Sequence, residues 1–412
     1  MDAARPSENR TISTRCCIVG GGPAGMMLGY LLGRAGVDTI VLEKHADFFR
    51  DFRGDTVHPS TMQVMDELGL IDDFLKVPHD ELQRLEACFG KTRLRIADVG
   101  RTGAKHPFIA FMPQWDFLNF LRDKGRRLPN LRIMMNTEAV GLIHDGDRVA
   151  GVRADAGGAL DIRADLTVAC DGRHSIIRRS AGLEVEEIGA PMDVLWFRIG
   201  KSAETESVFA RIEAGRMMVM LDRGTYWQCA YVIVKGHYDE IKARGIEALR
   251  SDLVTLAPSL RSNIADVKNW DDVKLLTVAV NRLKRWTRPG LLCIGDAAHA
   301  MSPVGGVGVN IAVQDAVAAA NLLAEKLASD GAVSEDDLAA VQRRREFPMR
   351  MTQGMQVIVQ NNIVNAALNP GSGPFKPPLF ARIVNAVPWL QGLTAKFIAV
   401  GVRPEHVHSP KA

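Results

Sequence analysis

The amino-acid sequence predicts an α/β protein with two folded regions and a helical C-terminal region. A short apolar run, a glycine-rich turn and a helical pattern follow one another near the start. Two further apolar runs of the buried, parallel-sheet type occur midway and late, whereas the region before the last one alternates apolar and polar residues, as antiparallel strands do. At 412 residues and 47% hydrophobic composition, the chain is long enough to bury the cores of two domains.

The first motif is the glycine-rich turn after the predicted strand 16–19. Gly20 and Gly22 allow a tight turn and a close approach of the backbone to a pyrophosphate, and Gly25 lets the following helix pack on the strand. A second predicted strand ends at Glu43, where a carboxylate can accept hydrogen bonds from ribose hydroxyls. An ordinary glycine turn is the alternative. With strand, helix and acidic residue together, the pattern favours a Rossmann-like unit for the adenosine of FAD or NAD over NADP.

The second motif closes the first region. The predicted strand 166–170 ends at Asp171 and Gly172, and Ser175 stands where it can cap a short helix that contains Arg178. Taken alone, this segment is better explained as a plain connection from strand to helix.

The third motif begins at the end of the predicted strand 291–295, where Asp296 follows Gly295. The loop 302–310 is rich in glycine and enters a long helix. The N-terminus of that helix can stabilise negative charge on a reduced flavin ring, and Asp296 can accept a hydrogen bond from the ribityl chain. A glycine-rich turn before an alanine-rich core helix is the alternative. The three motifs in this order predict FAD.

Residues 185–284 are predicted to form an antiparallel sheet with one helix over 237–248. This sheet is the candidate substrate-covering domain, in which apolar side chains form a wall and polar ones orient a ligand. The alternative is that each aromatic residue belongs to the core, because alternation does not say which face meets a cavity. The weak pocket candidates are Trp196, Arg198, Trp227, Gln228 and the loop residue Pro303.

Composition excludes several classes of function. The net charge of +3 is small and no basic stripe with interleaved aromatics is present, so no nucleic-acid partner is predicted. The six cysteines form no CxxC pair, which argues against a zinc site or a disulfide framework, and no metal is predicted. Because the first dozen residues also lack the apolar core of a signal peptide, a cytoplasmic location is expected.

The order and spacing of the motifs over about the first 340 residues resemble the group A FAD-dependent monooxygenases, the para-hydroxybenzoate hydroxylase-like aromatic hydroxylases. The resemblance implies a glutathione-reductase-type FAD-binding domain. In the family, an arginine after the first unit contacts FAD, which matches Arg53 with Arg50 as a near rival, and a helix-opening glutamine matches Gln114. The cofactor residues that the resemblance implies are Gly20, Gly22, Gly25, Glu43, Arg53, Gln114, Asp171, Gly172, Arg178, Gly295, Asp296, Pro303, Gly306, Gly308, Val309 and Asn310, with Ser175 and His299 in the same motifs.

The resemblance also implies the reaction. NADH or NADPH, bound transiently, reduces tightly but non-covalently bound FAD, and a C4a-hydroperoxyflavin then transfers oxygen from O2 to a small aromatic or quinone-like molecule. No general base is assigned. The alternatives are an alkene reductase of the geranylgeranyl-reductase type and a non-enzymatic flavin-binding protein. The chain departs from the family at Ser302, where many members have proline, and at Val307, which is often polar.

The predicted FAD-binding domain comprises residues 1–78, 107–184 and 285–335, and the substrate-binding domain comprises 79–106 and 185–284. The C-terminal helical region is 336–412. It contains a methionine stripe with Met349, Met351 and Met355, interpreted as core or as a dimer interface, so a monomer or a homodimer is expected. The apolar segment 379–402 is interrupted by charges and prolines. It leaves a loose membrane contact open, although none is expected.

Overall fold

The computed structural model describes residues 10–49, 56–201, 209–329, 331–368 and 377–412. The strands are β1 (Arg10–Val19), β2 (Thr39–Leu42), β3 (Thr56–Val57), β4 (Asp80–Leu82), β5 (Arg84–Phe89), β6 (Thr92–Asp98), β7 (Ile109–Phe111), β8 (Leu131–Met134), β9 (Glu138–Asp145), β10 (Arg148–Asp155), β11 (Ala159–Ala169), β12 (Val185–Glu187), β13 (Met192–Gly200), β14 (Ala210–Glu213), β15 (Arg216–Asp222), β16 (Tyr226–Val234), β17 (Lys274–Leu276), β18 (Asn281–Leu283), β19 (Thr287–Arg288) and β20 (Leu291–Cys293).

The α-helices are α1 (Pro23–Arg34), α2 (Pro59–Glu67), α3 (Ile71–Phe74), α4 (Gln114–Gly125), α5 (Ile176–Ser180), α6 (Tyr238–Ala243), α7 (Ile246–Leu256), α8 (Gly308–Ala328), α9 (Glu335–Val359), α10 (Asn365–Leu368), α11 (Leu379–Ala386) and α12 (Pro388–Ala395). Short 3₁₀ turns occur at Val99–Arg101, Pro258–Asp266, Trp270–Asp272, Gly295–Ala297 and Val304–Gly306, and π-helical turns at Gln360–Val364 and Lys396–Val400.

The first sheet has the strand order β19-β20-β11-β1-β2-β8. Strand β1 lies between β11 and β2 and is parallel to both. The carboxyl-terminal part of β1 is fully buried because α1, α4 and α8 cover the sheet, which is why its residues are almost all apolar. The predicted hairpin at residues 145–147 is confirmed, since β9 and β10 pair in antiparallel register around it and extend the sheet beside β11.

The second sheet has the order β17-β13-β16-β15-β14-β5-β6, and only the β14–β5 pair is parallel. Its presence confirms the predicted antiparallel region and the hairpin between β15 and β16. The predicted single helix over 237–248 is wrong. The chain forms α6 and α7 there, and Gly245, with φ of 87°, breaks the helix between them because this backbone conformation lies outside the helical region.

The two faces of the second sheet have different neighbours. Phe197, Trp227 and Tyr231 lie on the face that packs against α7 and the Pro258–Asp266 turn. Trp196, one residue along β13, lies on the other face, in apolar clusters that include Val304 of the third motif and Ala395 of the C-terminal region. The strand period of two residues produces this separation.

The C-terminal region is helical, as predicted. Helix α9 packs along α8, while α11 and α12 pack on β6. The methionine stripe is divided, because Met349 is buried whereas Met351 and Met355 are more than 40% exposed, at 45% and 42%. Two small sheets, β12-β18 and β3-β7-β4, complete the described structure. The α/β architecture with two large sheets and C-terminal helices is thus confirmed, and the domain boundaries stay predictions.

Candidate active site

The three motifs meet at one edge of the first sheet, where the parallel strands β1, β2, β11 and β20 end. The turn of the first motif lies directly against the backbone of the second motif. Gly20 has φ of 108°, and a Cβ at this residue would lie 2.4 Å from the carbonyl oxygen of Cys170. Only glycine fits at this position, both for its backbone conformation and for the space that remains. In an open parallel sheet, this edge is the usual position of a ligand site.

Two helix N-termini face this edge without a side chain that caps them. Helix α1 starts after Gly22 and α8 after Val307, and neither has a side-chain capping hydrogen bond. Apart from the adjoining backbone, no atom of the described residues lies within 4 Å of a Cβ built on Gly22 or Gly308, so the described part of the chain leaves space in front of both glycines. Backbone N–H groups that have no intrahelical partner are suited to bind phosphate or a charged flavin ring. The geometry therefore fits FAD.

Gly25 has a different function from Gly22. A Cβ on Gly25 would lie 2.0 Å from the carbonyl oxygen of Gly20, so this glycine permits the contact of α1 with the turn. Glu43 lies beside the same turn, 9% exposed, and its carboxylate accepts hydrogen bonds of 3.1 Å from the backbone N–H groups of Gly21 and His45. These bonds fix the carboxylate at the end of β2, next to the glycine turn.

Asp171 and Ser175 of the second motif together cap α5. Asp171 Oδ2 accepts hydrogen bonds from the N–H groups of Ile176 and Ile177 at 2.8 and 3.2 Å, and Ser175 Oγ accepts one from Arg178. The predicted cap at Ser175 is confirmed. Burial raises the pKa of Asp171, against the opposing effect of these hydrogen bonds.

Arg178 connects the second motif to the third. Its guanidinium is 7% exposed and donates hydrogen bonds to the carbonyl oxygens of Ala297 and Arg173. Arg173 in turn lies 3.8 Å from the carboxylate of Asp296. Arg178 thus holds the two motifs together, while Asp296 remains partly exposed at the sheet edge.

The glycine loop of the third motif is fixed to the segment that precedes α2. Thr56 Oγ1 donates to the carbonyl oxygen of Gly306 at 2.7 Å, and a Cβ on Gly306 would lie 2.5 Å from that hydroxyl. Asn310, at the start of α8, is 4% exposed and accepts hydrogen bonds from His58 N at 2.8 Å and Thr61 Oγ1 at 2.7 Å. Asn310 therefore positions the loop.

A buried charge network below the third motif was not predicted. His299 Nε2 donates to Asp315 Oδ2 at 2.6 Å, and Arg345 Nε donates to Asp315 Oδ1 at 2.9 Å. Gly295 N also donates to Asp315. Burial raises the pKa of Asp315, but His299 and Arg345 outweigh this effect, so the net result is a lowered pKa. Asp315 therefore holds the glycine that precedes Asp296.

Three glutamines of the C-terminal region also hold the third motif. Gln353 donates to the carbonyl oxygen of Ala300, Gln356 to those of Ser302 and Val304, and Gln360 to the hydroxyl of Ser302, at distances of 2.6 to 3.1 Å. The glutamines are buried. Their spacing along α9 and the next turn forms a polar stripe with the helical period. This stripe is visible in the sequence, although the role of the glutamines was not predicted.

The pocket candidates do not share one face. Trp196, Arg198 and Gln228 lie on the face of the second sheet that is turned toward the third motif, where Gln228 accepts a hydrogen bond from Arg223. Arg198 is exposed and its guanidinium lies over the Tyr226 ring at 5.3 Å. Trp227, which is 1% exposed, packs on the opposite, helix-covered face and therefore does not share a face with Trp196.

The remaining predicted residues are placed as follows. Gln114 is the first residue of α4 and is half-buried. Gly172 has φ of 82° directly after Asp171, and Pro303 precedes the Val304–Gly306 turn. Arg53 and its rival Arg50 lie outside the described residues. Within the described ranges, no cluster of three or more His, Cys, Asp or Glu side chains is arranged to hold a metal ion.

The fold and the site define a flavin-binding oxidoreductase. Residues 13–355 match the model of the FAD binding domain family, and the chain belongs to that family. It is an FAD-dependent monooxygenase, since it is 30% identical over 368 residues, 87% of each chain, to 6-methylpretetramide 4-monooxygenase of Streptomyces rimosus. It is also 25% identical to para-nitrophenol 4-monooxygenase of Pseudomonas sp. (strain WBC-3), over 80% of this chain and 82% of that one.

The fold agrees with a solved structure. The crystal structure of p-nitrophenol 4-monooxygenase from Pseudomonas putida DLL-E4 superposes with a TM-score of 0.73 at 22% sequence identity, over 96% of this chain and 100% of that one. At this level of identity the likeness shows the fold alone.

Proposed function

We propose that this monooxygenase hydroxylates a small aromatic or quinone-like molecule held between the loop of the third motif and one face of the second sheet. The observation that supports the proposal most directly is the position of the Val304–Gly306 turn. On one side the turn leads into the uncapped N-terminus of α8, and on the other Val304 packs in the same apolar cluster as Trp196. A flavin ring placed at the loop therefore faces the Trp196 side of the sheet.

The cofactor residues have the following proposed roles. Glu43 accepts hydrogen bonds from ribose hydroxyls, the N-terminus of α1 faces the pyrophosphate, and Asp296 accepts from the ribityl chain. The proposed FAD contacts also include Arg53, Gln114, Asp171, Gly172, Gly295, Pro303, Gly306, Gly308 and Val309, while Gly20, Gly25, Arg178 and Asn310 position the backbone around them.

The chain supplies binding, orientation and exclusion of water. When bound, FAD supplies the reduced ring that activates O2, and NADH or NADPH, bound transiently, supplies the electrons. Backbone N–H groups of the loop and of the first turn of α8 stabilise negative charge on that ring. Trp196 and Phe111 border the substrate side with apolar surface, and Gln228, held by Arg223, offers the polar contact there.

The same geometry supports the domain division that we propose. Residues 1–78, 107–184 and 285–335 are assigned to FAD binding, 79–106 and 185–284 to the substrate, and 336–412 to the helical region. We also infer a cytoplasmic location, because all six cysteines are free thiols and five of them are buried in the core.

The test is a turnover assay with the purified, FAD-loaded protein. NADH or NADPH oxidation, O2 uptake and peroxide release are followed with a panel of phenols, aromatic acids and quinone precursors. The proposal expects one compound to accelerate flavin reduction and to lower peroxide release as a hydroxylated product forms. Saturation of a double bond without O2 uptake supports the reductase alternative instead, and FAD reduction that no aromatic compound accelerates contradicts the proposed substrate class.

A further inference from the structure

Helices α11 and α12 expose an unusual number of large apolar side chains. Isolated exposed apolar residues are common on soluble proteins, but a contiguous group on one helical segment indicates an interaction surface. We call this group the C-terminal apolar patch. It consists of Leu379 (69% exposed), Phe380 (46%), Ile383 (46%), Trp389 (67%) and Leu393 (58%).

The patch is one side of an amphipathic helix pair. Leu379 and Ile383 are four residues apart on α11, as are Trp389 and Leu393 on α12, so each pair shares a helix face. The opposite sides face the protein, where Ala381, Ala395 and Ala399 are each 1% exposed. Together, α11 and the segment Pro388–Val400 are apolar enough to span a membrane, but they meet at 110°, which suits a pair that lies on a surface.

The charged residues in the segment around the patch are all basic. Between Glu346 and Glu405 the sequence contains five basic residues and no acidic one. Arg382 and Lys396 are exposed beside the patch, and among the described residues neither has an ion-pair partner. An apolar helix face flanked by unpaired cations complements an anionic lipid surface, which attracts basic residues that lie close to it. Tryptophan is also enriched at the boundary between lipid and water.

The inner side of the same segment covers the proposed substrate space. Ala395 and Ala399 belong to the apolar cluster that contains Trp196 and Phe111. The carbonyl oxygen of Ile398 accepts a hydrogen bond of 3.0 Å from the ring of His58, and the Ile398 side chain lies 3.8 Å from where a Cβ on Gly305 would be. One thin layer of helix therefore separates the patch from the loop of the third motif.

We propose that the C-terminal apolar patch docks on an anionic lipid surface, and that the substrate is a lipophilic aromatic molecule that reaches the site from the lipid past α12. The statement about the substrate rests on the proposed function, whereas the docking itself does not.

A second copy of the chain is the other possible occupant, and the charge pattern disfavours it. In a symmetric dimer the patch would meet itself, so Arg382 and Lys396 of one copy would approach the same cations of the other. Like charges at an interface oppose association. Anionic lipid headgroups remove this repulsion.

The test is cosedimentation of the FAD-loaded protein with vesicles of pure phosphatidylcholine and with vesicles of phosphatidylcholine and phosphatidylglycerol in equal parts, whose surface is negatively charged. We expect binding to the anionic vesicles that weakens as salt is added. Leu393→Ser should weaken it at least about threefold and the double variant Trp389→Ser, Leu393→Ser at least about tenfold, since each loses apolar area that the lipid buries. Val140→Ser, at a residue that is 56% exposed on β9, is the matched control and should bind as wild type does.

Bound FAD, measured by absorbance in every variant, shows that the variants are folded. Absence of binding to anionic vesicles, or equal binding by the double variant and wild type, overturns the docking proposal. A wild-type dimer in solution that the double variant converts to a monomer also overturns it and assigns the patch to self-association. Because sedimentation needs no turnover, failure of the proposed aromatic hydroxylation leaves the docking result unaffected.

If docking holds, a lipophilic phenol presented in vesicles should be turned over faster by wild type than by the double variant, and equal rates contradict the proposed entry route.

Discussion

At the scale of single residues, two glycines of the first motif have opposite functions although their spacing is part of one pattern. A Cβ on Gly22 would enter open space, whereas a Cβ on Gly25 would meet the carbonyl oxygen of Gly20 at 2.0 Å. The open space is where the proposed pyrophosphate lies. The motif contains both glycines, but only the structure shows that Gly22 leaves space for a ligand whereas Gly25 permits the packing of α1.

Gly22→Ala should leave the free energy of unfolding of the FAD-free protein within about 0.5 kcal/mol of wild type, because no residue in the described ranges packs against the new methyl group. It should weaken FAD binding at least about tenfold. Gly25→Ala should instead destabilise the protein by at least about 2 kcal/mol through the backbone clash. Denaturant unfolding of the FAD-free proteins and a fluorescence titration with FAD measure the two effects. Wild-type FAD affinity in Gly22→Ala would contradict the proposed position of the pyrophosphate.

Asp315 is the residue on which the buried network depends, since it pairs with both His299 and Arg345. Asp315→Asn should reduce the free energy of unfolding at pH 7 by about 3 to 5 kcal/mol, because the buried Arg345 loses the nearer of its two carboxylate partners and keeps Glu405 at 3.6 Å. The pKa of Asp315 is lowered in the folded state, so its stabilisation is present above the ordinary carboxyl pKa of about 4 and is lost as the pH falls further.

The difference in stability between wild type and Asp315→Asn should therefore narrow below about pH 4, which denaturant unfolding at several pH values measures. Asp239→Asn, at an exposed residue in the first turn of α6, is the control and should stay within about 0.5 kcal/mol. A constant difference across this pH range would show that Asp315 stabilises the fold by packing and not by charge.

At the scale of elements, α9 and the turn that follows it hold the third motif in place through side-chain amides. Gln356→Leu should cost about 1 to 3 kcal/mol of stability, because the buried carbonyl oxygens of Ser302 and Val304 lose their donor. It should also weaken FAD binding, since the loop loses its support. Gln63→Leu, which removes only an amide that bonds to Glu67 within α2, is the control. If Gln356→Leu binds FAD as tightly as wild type does, the glutamine stabilises the fold but does not position the loop for FAD.

Helices, strands and turns were predictable from the sequence where they depend on residues close together in the chain. The glycine spacing, the cap at Ser175 and the hairpin at residues 145–147 each depend on a few neighbouring residues, and all are present. The prediction of one helix over 237–248 was wrong because a single residue, Gly245, breaks it into α6 and α7. The periodicity of the surrounding residues does not reveal that break.

At the scale of the whole molecule, contacts between distant parts of the chain were not predictable. Asp315 meets Arg345 thirty residues later, and Gln353 bonds to a carbonyl 53 residues earlier, so only the folded chain shows either pairing. Alternation along β13 and β16 predicts two faces, but α7 decides which of them is covered. The sequence therefore did not separate Trp196 from Trp227.

That separation makes a prediction about substrate binding. Trp196→Leu should lower kcat/KM for the aromatic substrate at least about tenfold with FAD content unchanged, because the side chain borders the proposed substrate space. Trp227→Leu should lower stability by about 3 kcal/mol with KM unchanged, because it lies in the core on the other face. Steady-state kinetics with thermal unfolding measures both. A raised KM in Trp227→Leu alone would place the substrate on the helix-covered face.

The fate of molecular oxygen tests the proposed hydroxylation most directly. The FAD-loaded protein is supplied with NADH or NADPH, an accepted aromatic compound and O2 enriched in oxygen-18, and the product is analysed by mass spectrometry. If the protein is an aromatic monooxygenase, each hydroxylated product molecule carries one labelled oxygen atom, and the second atom is released as water. A product that carries no label, or one formed at the same rate without O2, would contradict the proposed hydroxylation.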